Sequence, residues 1–244
     1  MTKLALVTGG SGGIGAAICH KLAKSGYRIV FTFNSNQSAA EQVLDNLEGT
    51  GHAMYQLNVE DSAAISALAA QVQETSQSLD LLVNCAGMTK FVPHSDLNSL
   101  NDELIDKIFR VNVRAPFAMV RAFEPALRNA RGCVVNITSI AAQTAMGSNV
   151  AYCASKSAIE NMTRSLARAL SPDIRVLAVA PGLVDTEFVK GLDDEWRDAQ
   201  EQSTPLKRLA NDEEVANAVF AAAELLTFST GNTIAVDGGR PLSN

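Results

Sequence analysis

Five of the seven residues from Gly9 to Gly15 are glycine. They follow the short apolar run Lys3–Thr8 and precede Ala16–Ser25, whose apolar residues recur at helical spacing up to Gly26. A short apolar run of this kind suits a strand buried on both faces. Strand, glycine turn and helix in that order predict a dinucleotide site. Glycines let the backbone come close to a pyrophosphate, and the helix N-terminus adds N–H donors and the positive end of its dipole. The glycines are dense enough to satisfy three spacings at once: Gly10-x-Gly12-x-x-Gly15, Gly9-x-x-Gly12-x-x-Gly15 and Thr8-Gly-x-x-x-Gly13-x-Gly15. The turn alone therefore does not choose between nucleotide-binding branches.

The rest of the chain repeats the pattern. Further strands are expected at Tyr27–Phe33, His52–Leu57, Leu79–Val83, Cys133–Thr138, Ile174–Ala180 and Thr233–Val236. Helices are expected at Ser38–Leu47, from Asp61 or Ser62 to Gln77, over Asn101–Asn129 with bends at Pro116 and Pro125, and from Tyr152 to Leu170. A last helix starts at the capping-box-like Asn211–Glu214 and runs to Leu226. Strands alternating with helices of this length mean an α/β protein. The expected form is a Rossmann-type, doubly wound, parallel sheet of seven strands in three αβα layers, with ligands at the C-terminal ends of the strands. No repeat, low-complexity tract or linker interrupts it, so residues 1–244 are read as one domain, with a substrate lid at about 183–210.

Composition narrows the classes. A net charge of -6 and a pI near 5.1 argue against nucleic acid and anionic membranes as partners. There is no apolar leader after Met1 and no run long enough to span a bilayer, so a cytoplasmic protein is expected. Cys19, Cys85, Cys133 and Cys153 form no Cys-x-x-Cys pair, and His20, His52 and His94 have no ligand spacing. The cysteines read as reduced and mostly buried, and no metal is implied.

Ser139 lies thirteen residues before Tyr152, and Lys156 follows the tyrosine by four. On a helix, Tyr152 and Lys156 share a face. An ammonium beside a phenol favours the phenolate, so the tyrosine pKa is expected to fall toward neutrality, where the group can exchange a proton with a substrate oxygen. Ser139 ends the fifth strand, on the sheet edge where ligands bind.

Taken in order, Thr8-Gly-x-x-x-Gly13-x-Gly15, Asn84-x-Ala86-Gly87, Asn112, Ser139, Tyr152-x-x-x-Lys156 and Pro181-Gly182-x-x-x-Thr186 resemble the short-chain dehydrogenase/reductase family over essentially the whole chain. The resemblance implies an NAD(P)-dependent oxidoreductase interconverting a carbonyl and an alcohol. Tyr152 would be its general acid or base. Lys156 would lower the tyrosine pKa and hold the nicotinamide ribose, Ser139 would bond the substrate oxygen, and Asn112 would hold a water linked to Lys156. The cofactor would further meet Gly9, Ser11, Gly12, Gly13, Ile14 and Gly15 of the turn. Asn58 and Val59 would meet the adenine, and Asn84, Ala86 and Gly87 its ribose side. Pro181, Gly182, Val184 and Thr186 would lie at the nicotinamide.

Substrate and cofactor choice follow from smaller signals. The second strand ends without an acid. Asn34 and Ser35 are neutral donors there, and the first carboxylate is Glu41. Nothing repels a 2′-phosphate, so NADP is expected over NAD, by about ten- to a hundredfold. The substrate is expected to be a small free ketone or hydroxy compound. The alternative is 3-oxoacyl-carrier reduction, since Arg128 and Arg131 could dock an acidic carrier protein, but Pro172 and Asp173 stand where a second base is wanted. A non-catalytic dinucleotide-binding regulator and a scaffold acting through its oligomer surface are the readings of another class. Phe188, Leu192 and Trp196 form an apolar stripe that closes over substrate or packs on the body or a partner. The apolar surface around Phe117, Ala118 and Met162 predicts a homotetramer or homodimer. Cys85 and Cys153, beside motif residues, raise the expectation of thiol sensitivity.

Overall fold

The computed structural model describes residues 2–186 and 194–242. Phe188 and Leu192 of the predicted lid stripe lie outside the described residues. Seven strands form one parallel sheet among them: β1 (Leu4–Val7), β2 (Arg28–Phe33), β3 (Ala53–Gln56), β4 (Leu81–Asn84), β5 (Cys133–Ile137), β6 (Arg175–Pro181) and β7 (Thr233–Val236). Their order is β3-β2-β1-β4-β5-β6-β7. The chain moves outward from β1 to β3, then crosses back to β4, so the order reverses between β1 and β4. A crevice opens at the C-terminal ends of strands at such a reversal.

Alternation along β1 assigns the layers. Ala5 and Val7 enter one apolar cluster, Leu4 and Leu6 the other. Helices α1 (Gly13–Lys24) and α2 (Gln37–Asp45) cover the first face. So does the helix Asp212–Phe220, labelled α9 below, through Val215, Ala216 and Val219. On the second face lie α3 (Ser62–Thr75), α5 (Ala115–Ala130) and, through Ala167, α7 (Val150–Leu170). This is the expected three-layer α/β architecture. The expected caps are present: Asp61 accepts from Ala63 and Ala64, and Asn211 with Glu214 forms a capping box.

Two helices differ from the sequence reading: the last, expected to run to Leu226, gives way after Phe220 to a π-turn at Ala221–Leu225, and the long one is interrupted in its middle. The expected helix Asn101–Asn129 is α4 (Asp102–Phe109), a π-turn at Arg110–Arg114, and then α5. The break is at Asn112. Pro116 sits in the first turn of α5, where a missing N–H costs nothing. After α5 come β5, a short α6 (Ala141–Thr144) and α7. Beyond β6 the described part of the expected lid holds α8 (Asp194–Ser203), which has no buried residue. Both ends of that segment are stitched together by a bridge of Val184 with Ala210 and by Asp185 N donating to Ala210 O at 2.8 Å. Among the described residues no helix is long and apolar enough to cross a membrane, and no cluster of potential metal ligands occurs.

Candidate active site

The crevice is fixed from its floor. The Thr8 hydroxyl, at the exit of β1, accepts from both Cys85 N and Ala86 N at 3.0 Å, tying β1 to β4 at the reversal point. The chain then turns through Gly9, whose φ of +70° a side chain would strain. Gly15 is required by contact: a Cβ there would lie 2.1 Å from the Gly9 carbonyl oxygen. Gly12 caps α1 without any side-chain acceptor, so the first helical turn faces outward with bare backbone donors.

A groove of about 790 Å³ runs from this turn to Tyr152. That is within the roughly 300–1,000 Å³ of small-molecule sites. Gly9, Ser11, Gly12, Gly13, Ile14 and Gly15 line it at one place. Asn34, Asn58 and Val59 line it at the ends of β2 and β3, and Ala86 and Gly87 after β4. Ser139, Tyr152 and Lys156 line it beside Pro181, Gly182, Val184 and Thr186. Ser35, Asn84 and Asn112 do not. Asn84 is buried beneath, donating to Asn136, which donates in turn to Thr163. Sequence reasoning missed Thr32, Glu60, Lys107, Val111 and Thr138, which also line the groove. A signal existed for two of them, since Lys107 and Val111 are four apart and close to Asn112.

The groove suits an anionic dinucleotide. Bare backbone replaces side chains at the turn, and the lining carries two cations, Lys107 and Lys156, against one acid, Glu60. Such a ligand would lie with its pyrophosphate on the turn and α1.

At the other end, Asn149 is the N-cap of α7. Its Oδ1 accepts from Tyr152 N at 2.7 Å while its Nδ2 donates to Lys90 O at 2.8 Å. Tyr152 therefore sits in the first turn of a helix pinned to the 88–94 loop. Gly147 lets the turn between α6 and α7 pack close, because a Cβ there would be 2.8 Å from Cys153 Sγ and 3.1 Å from the Tyr152 ring. Lys156, one turn further, donates from Nζ to Ile137 O at 2.9 Å and lies 5.6 Å from the centre of the Tyr152 ring. Ser139 Oγ, off β5, accepts from Ala141 N at 3.2 Å.

The electrostatics correct one expectation. Burial raises the Tyr152 pKa, an effect the Ser139 hydroxyl partly offsets and Cys153 adds to. Burial lowers Lys156 itself to about 8, with Cys85 acting the other way. In the free protein, desolvation thus outweighs the expected pull of the lysine on the phenol. The cysteines are free, and burial pushes Cys85 up to about 12 and also raises Cys153, which disfavours their thiolates.

Asn112 is a clamp. Its Oδ1 accepts from Met88 N at 2.9 Å, and its Nδ2 donates to Met88 O at 3.0 Å and to Ser155 Oγ at 3.1 Å. Both amide hydrogens are used, so the water-holding role implied for it would not come from a free side-chain donor. It holds the segment after Gly87 against α7, beside Lys156. Two hydroxyls, Ser139 and Tyr152, and a buried amine thus converge at one end of a dinucleotide-sized groove. That arrangement can bind an oxygen and exchange a proton with it.

The comparisons agree with this geometry. A family model described as enoyl-(acyl carrier protein) reductase matches residues 9–240. The chain is 33% identical to the 3-oxoacyl-(acyl-carrier-protein) reductase FabG of Staphylococcus aureus, over 98% of this chain and 98% of that relative. It is 34% identical to the enzyme of the same name from Escherichia coli, over 97% and 96%. Among solved structures it is similar to a short-chain dehydrogenase/reductase from Serratia marcescens, with a TM-score of 0.89 and 32% identity over 98% of both chains. On fold, site and relatives alike, this chain belongs to the short-chain dehydrogenase/reductase family of oxidoreductases.

Proposed function

We propose that this chain interconverts a small free ketone or aldehyde and its alcohol, using a nicotinamide dinucleotide and preferring NADP. The observation that carries the reading is the meeting of Ser139, Tyr152 and Lys156 at one end of the groove. When bound, the reduced nicotinamide supplies a hydride to the carbonyl carbon. The residues do the rest. Tyr152 gives its phenolic proton to the carbonyl oxygen, and Ser139 donates a hydrogen bond to the same atom as charge builds there. Lys156 holds a positive charge beside both, and Asn112 positions the segment that packs on it.

Two features support the finer choices. The end of β2 lines the groove with Thr32, Phe33 and Asn34 and no acid, so a 2′-phosphate meets no repulsion. The corner that could have docked a carrier protein is compensated, because Arg128 is ion-paired with both Glu124 and Asp173. An acidic carrier would have to compete with two carboxylates, which favours a free substrate. Residues 183–210 would serve as the lid over one catalytic domain. The free thiols suit the reducing cytoplasm, where we place the enzyme as a homotetramer or homodimer.

The test is dinucleotide oxidation against a panel of ketones, ketoacyl thioesters and sugars, with NADPH and NADH compared on one substrate. Turnover of free ketones with a kcat/KM ratio favouring NADPH is expected. A tenfold preference for NADH would overturn the cofactor choice, and turnover of carrier-bound thioesters alone would overturn the substrate. No turnover with any of them would leave a binding protein in place of an enzyme.

A further inference from the structure

Val184 and Thr186 line the groove beside Ser139, Tyr152 and Lys156, and Asp185 lies between them. The backbone of Asp185 is fixed from one side, its N donating to Ala210 O at 2.8 Å. Its side chain is fixed from the other. Arg197 of α8 donates from Nη2 to Asp185 Oδ1 at 2.9 Å, and the two side chains are only 22% and 35% exposed. The second carboxylate near Arg197 is Asp194, at 3.8 Å and 93% exposed, so water screens it. Arg197 is the one base of α8, among Asp194, Glu195, Asp198 and Glu201. A helix with no buried residue thus sets its single cation on the carboxylate beside the reacting end of the groove.

The functional reading above, on which this inference rests, seats the nicotinamide at that end, because hydride and proton must reach one carbonyl. The ring carries a positive charge when oxidised and none when reduced. The rest of the dinucleotide is the same in both, so charge fixed near the ring is what tells the two forms apart. An unpaired Asp185 would attract the oxidised ring. The ammonium of Lys156, at the same end, repels it. At separations of about 10 Å a unit charge in a partly buried site still shifts binding several-fold, whereas the field of a close ion pair largely cancels. We propose that Arg197 is a specificity-determining residue: by pairing with Asp185 it leaves Lys156 to set the charge at the nicotinamide, and the site favours the reduced dinucleotide over the oxidised one. Arg197 acts through Asp185 and needs no contact with the ligand. Carbonyl reduction is then the direction for which the dinucleotide arrives in its preferred form.

Titration of the free enzyme at low ionic strength, without substrate, tests this. NADPH binding is read from the fluorescence of the reduced nicotinamide, and NADP⁺ binding from its displacement of NADPH. NADH and NAD⁺ take their place if they bind more tightly. The wild-type protein should bind the reduced form more tightly, and a preference for the oxidised form would overturn the proposal without any variant. In Arg197→Gln the Kd of the oxidised form divided by that of the reduced form should fall about three- to tenfold. In Asp185→Asn, which leaves Arg197 unpaired, the same ratio should rise. The double variant carries neither charge and should return to within about twofold of the wild type. A purely structural role for the pair would weaken both forms together and leave the ratio unmoved, and that result would overturn the assignment. So would a ratio that rises in Arg197→Gln. Should Arg197→Gln not fold, Asp185→Asn carries the test with the opposite sign. Failure of the wild type to bind either form of either dinucleotide is a different result, because it would sink the functional reading itself.

Discussion

The ammonium of Lys156 sits on α7 with Nζ 2.9 Å from the Ile137 carbonyl oxygen and almost no contact with water. Burial brings its pKa down from 10.5 to about 8. Between those two values the unfolded chain holds a proton that the folded one has released, so the Lys156 contribution to stability rises with pH across that window. Lys156→Met removes the buried charge. Its urea-unfolding free energy should exceed that of the wild type by more at pH 7.5 than at pH 9.5, and a gap independent of pH would refute the assignment. Binding an anionic dinucleotide favours the charged lysine, so proton uptake on binding near pH 8 to 9 should appear in calorimetry in buffers of different ionisation enthalpy. For Tyr152, replacement by Phe keeps the ring and removes the acid. Turnover should drop about a hundredfold or more while dinucleotide affinity stays within a few-fold; near-normal turnover would remove Tyr152 from the role. The meeting of Tyr152 and Lys156 was legible at this scale because spacing on a helix dictates which side chains share a face. The direction of the tyrosine shift was not, since spacing carries no information about how much water is lost. Nor was the roll of lining residues complete, because Glu60 and Thr138 reach the groove only through the ends of strands paired far apart in sequence.

At the scale of elements, the five inner strands could be read because strands buried on both faces are continuous apolar runs, and the part-buried edge strands β3 and β7 because they alternate with helices along the chain. The π-turn at Arg110–Arg114 could not. Its cause is a side chain bonded to Met88, 24 residues away, while the prolines that seemed to mark the bend fit a helix start or lie within α5. A π-turn inside a long helix is common beside functional groups. Here it places Asn112 to clamp Met88 and Ser155 at once. Asn112→Ala would strand the Met88 N–H and carbonyl together, and should cost about 2–3 kcal/mol in chemical denaturation. Turnover should fall with it, because the segment after Gly87 is released from α7 next to Lys156. A fully active variant of unchanged stability would show that the clamp is dispensable.

For the whole molecule, the surface and the crevice lead in different directions. Phe117 on α5, and Leu225 and Phe228 in the stretch that follows α9, are among the exposed large apolar side chains. Light scattering at micromolar concentration should find a dimer or tetramer, and a monomer would contradict the oligomer reading. Within the proposed lid, α8 has no buried residue, so the way this helix packs could not be read from an apolar face. The crevice was legible as the C-terminal edge of a parallel sheet, because alternating strands and helices imply one, whereas the strand order and its reversal point belong to the fold itself. Thr8 adds what the alternation could not show. With one hydroxyl accepting from Cys85 N and Ala86 N, β1 and β4 are laced together before any ligand arrives. Those two amides should exchange with deuterium slowly in the free enzyme and hardly change on binding. A mouth that is already at its working width has no entropy left to lose there, so the ordering of this part of the site is settled once, when the chain folds, and is not repeated at every turnover.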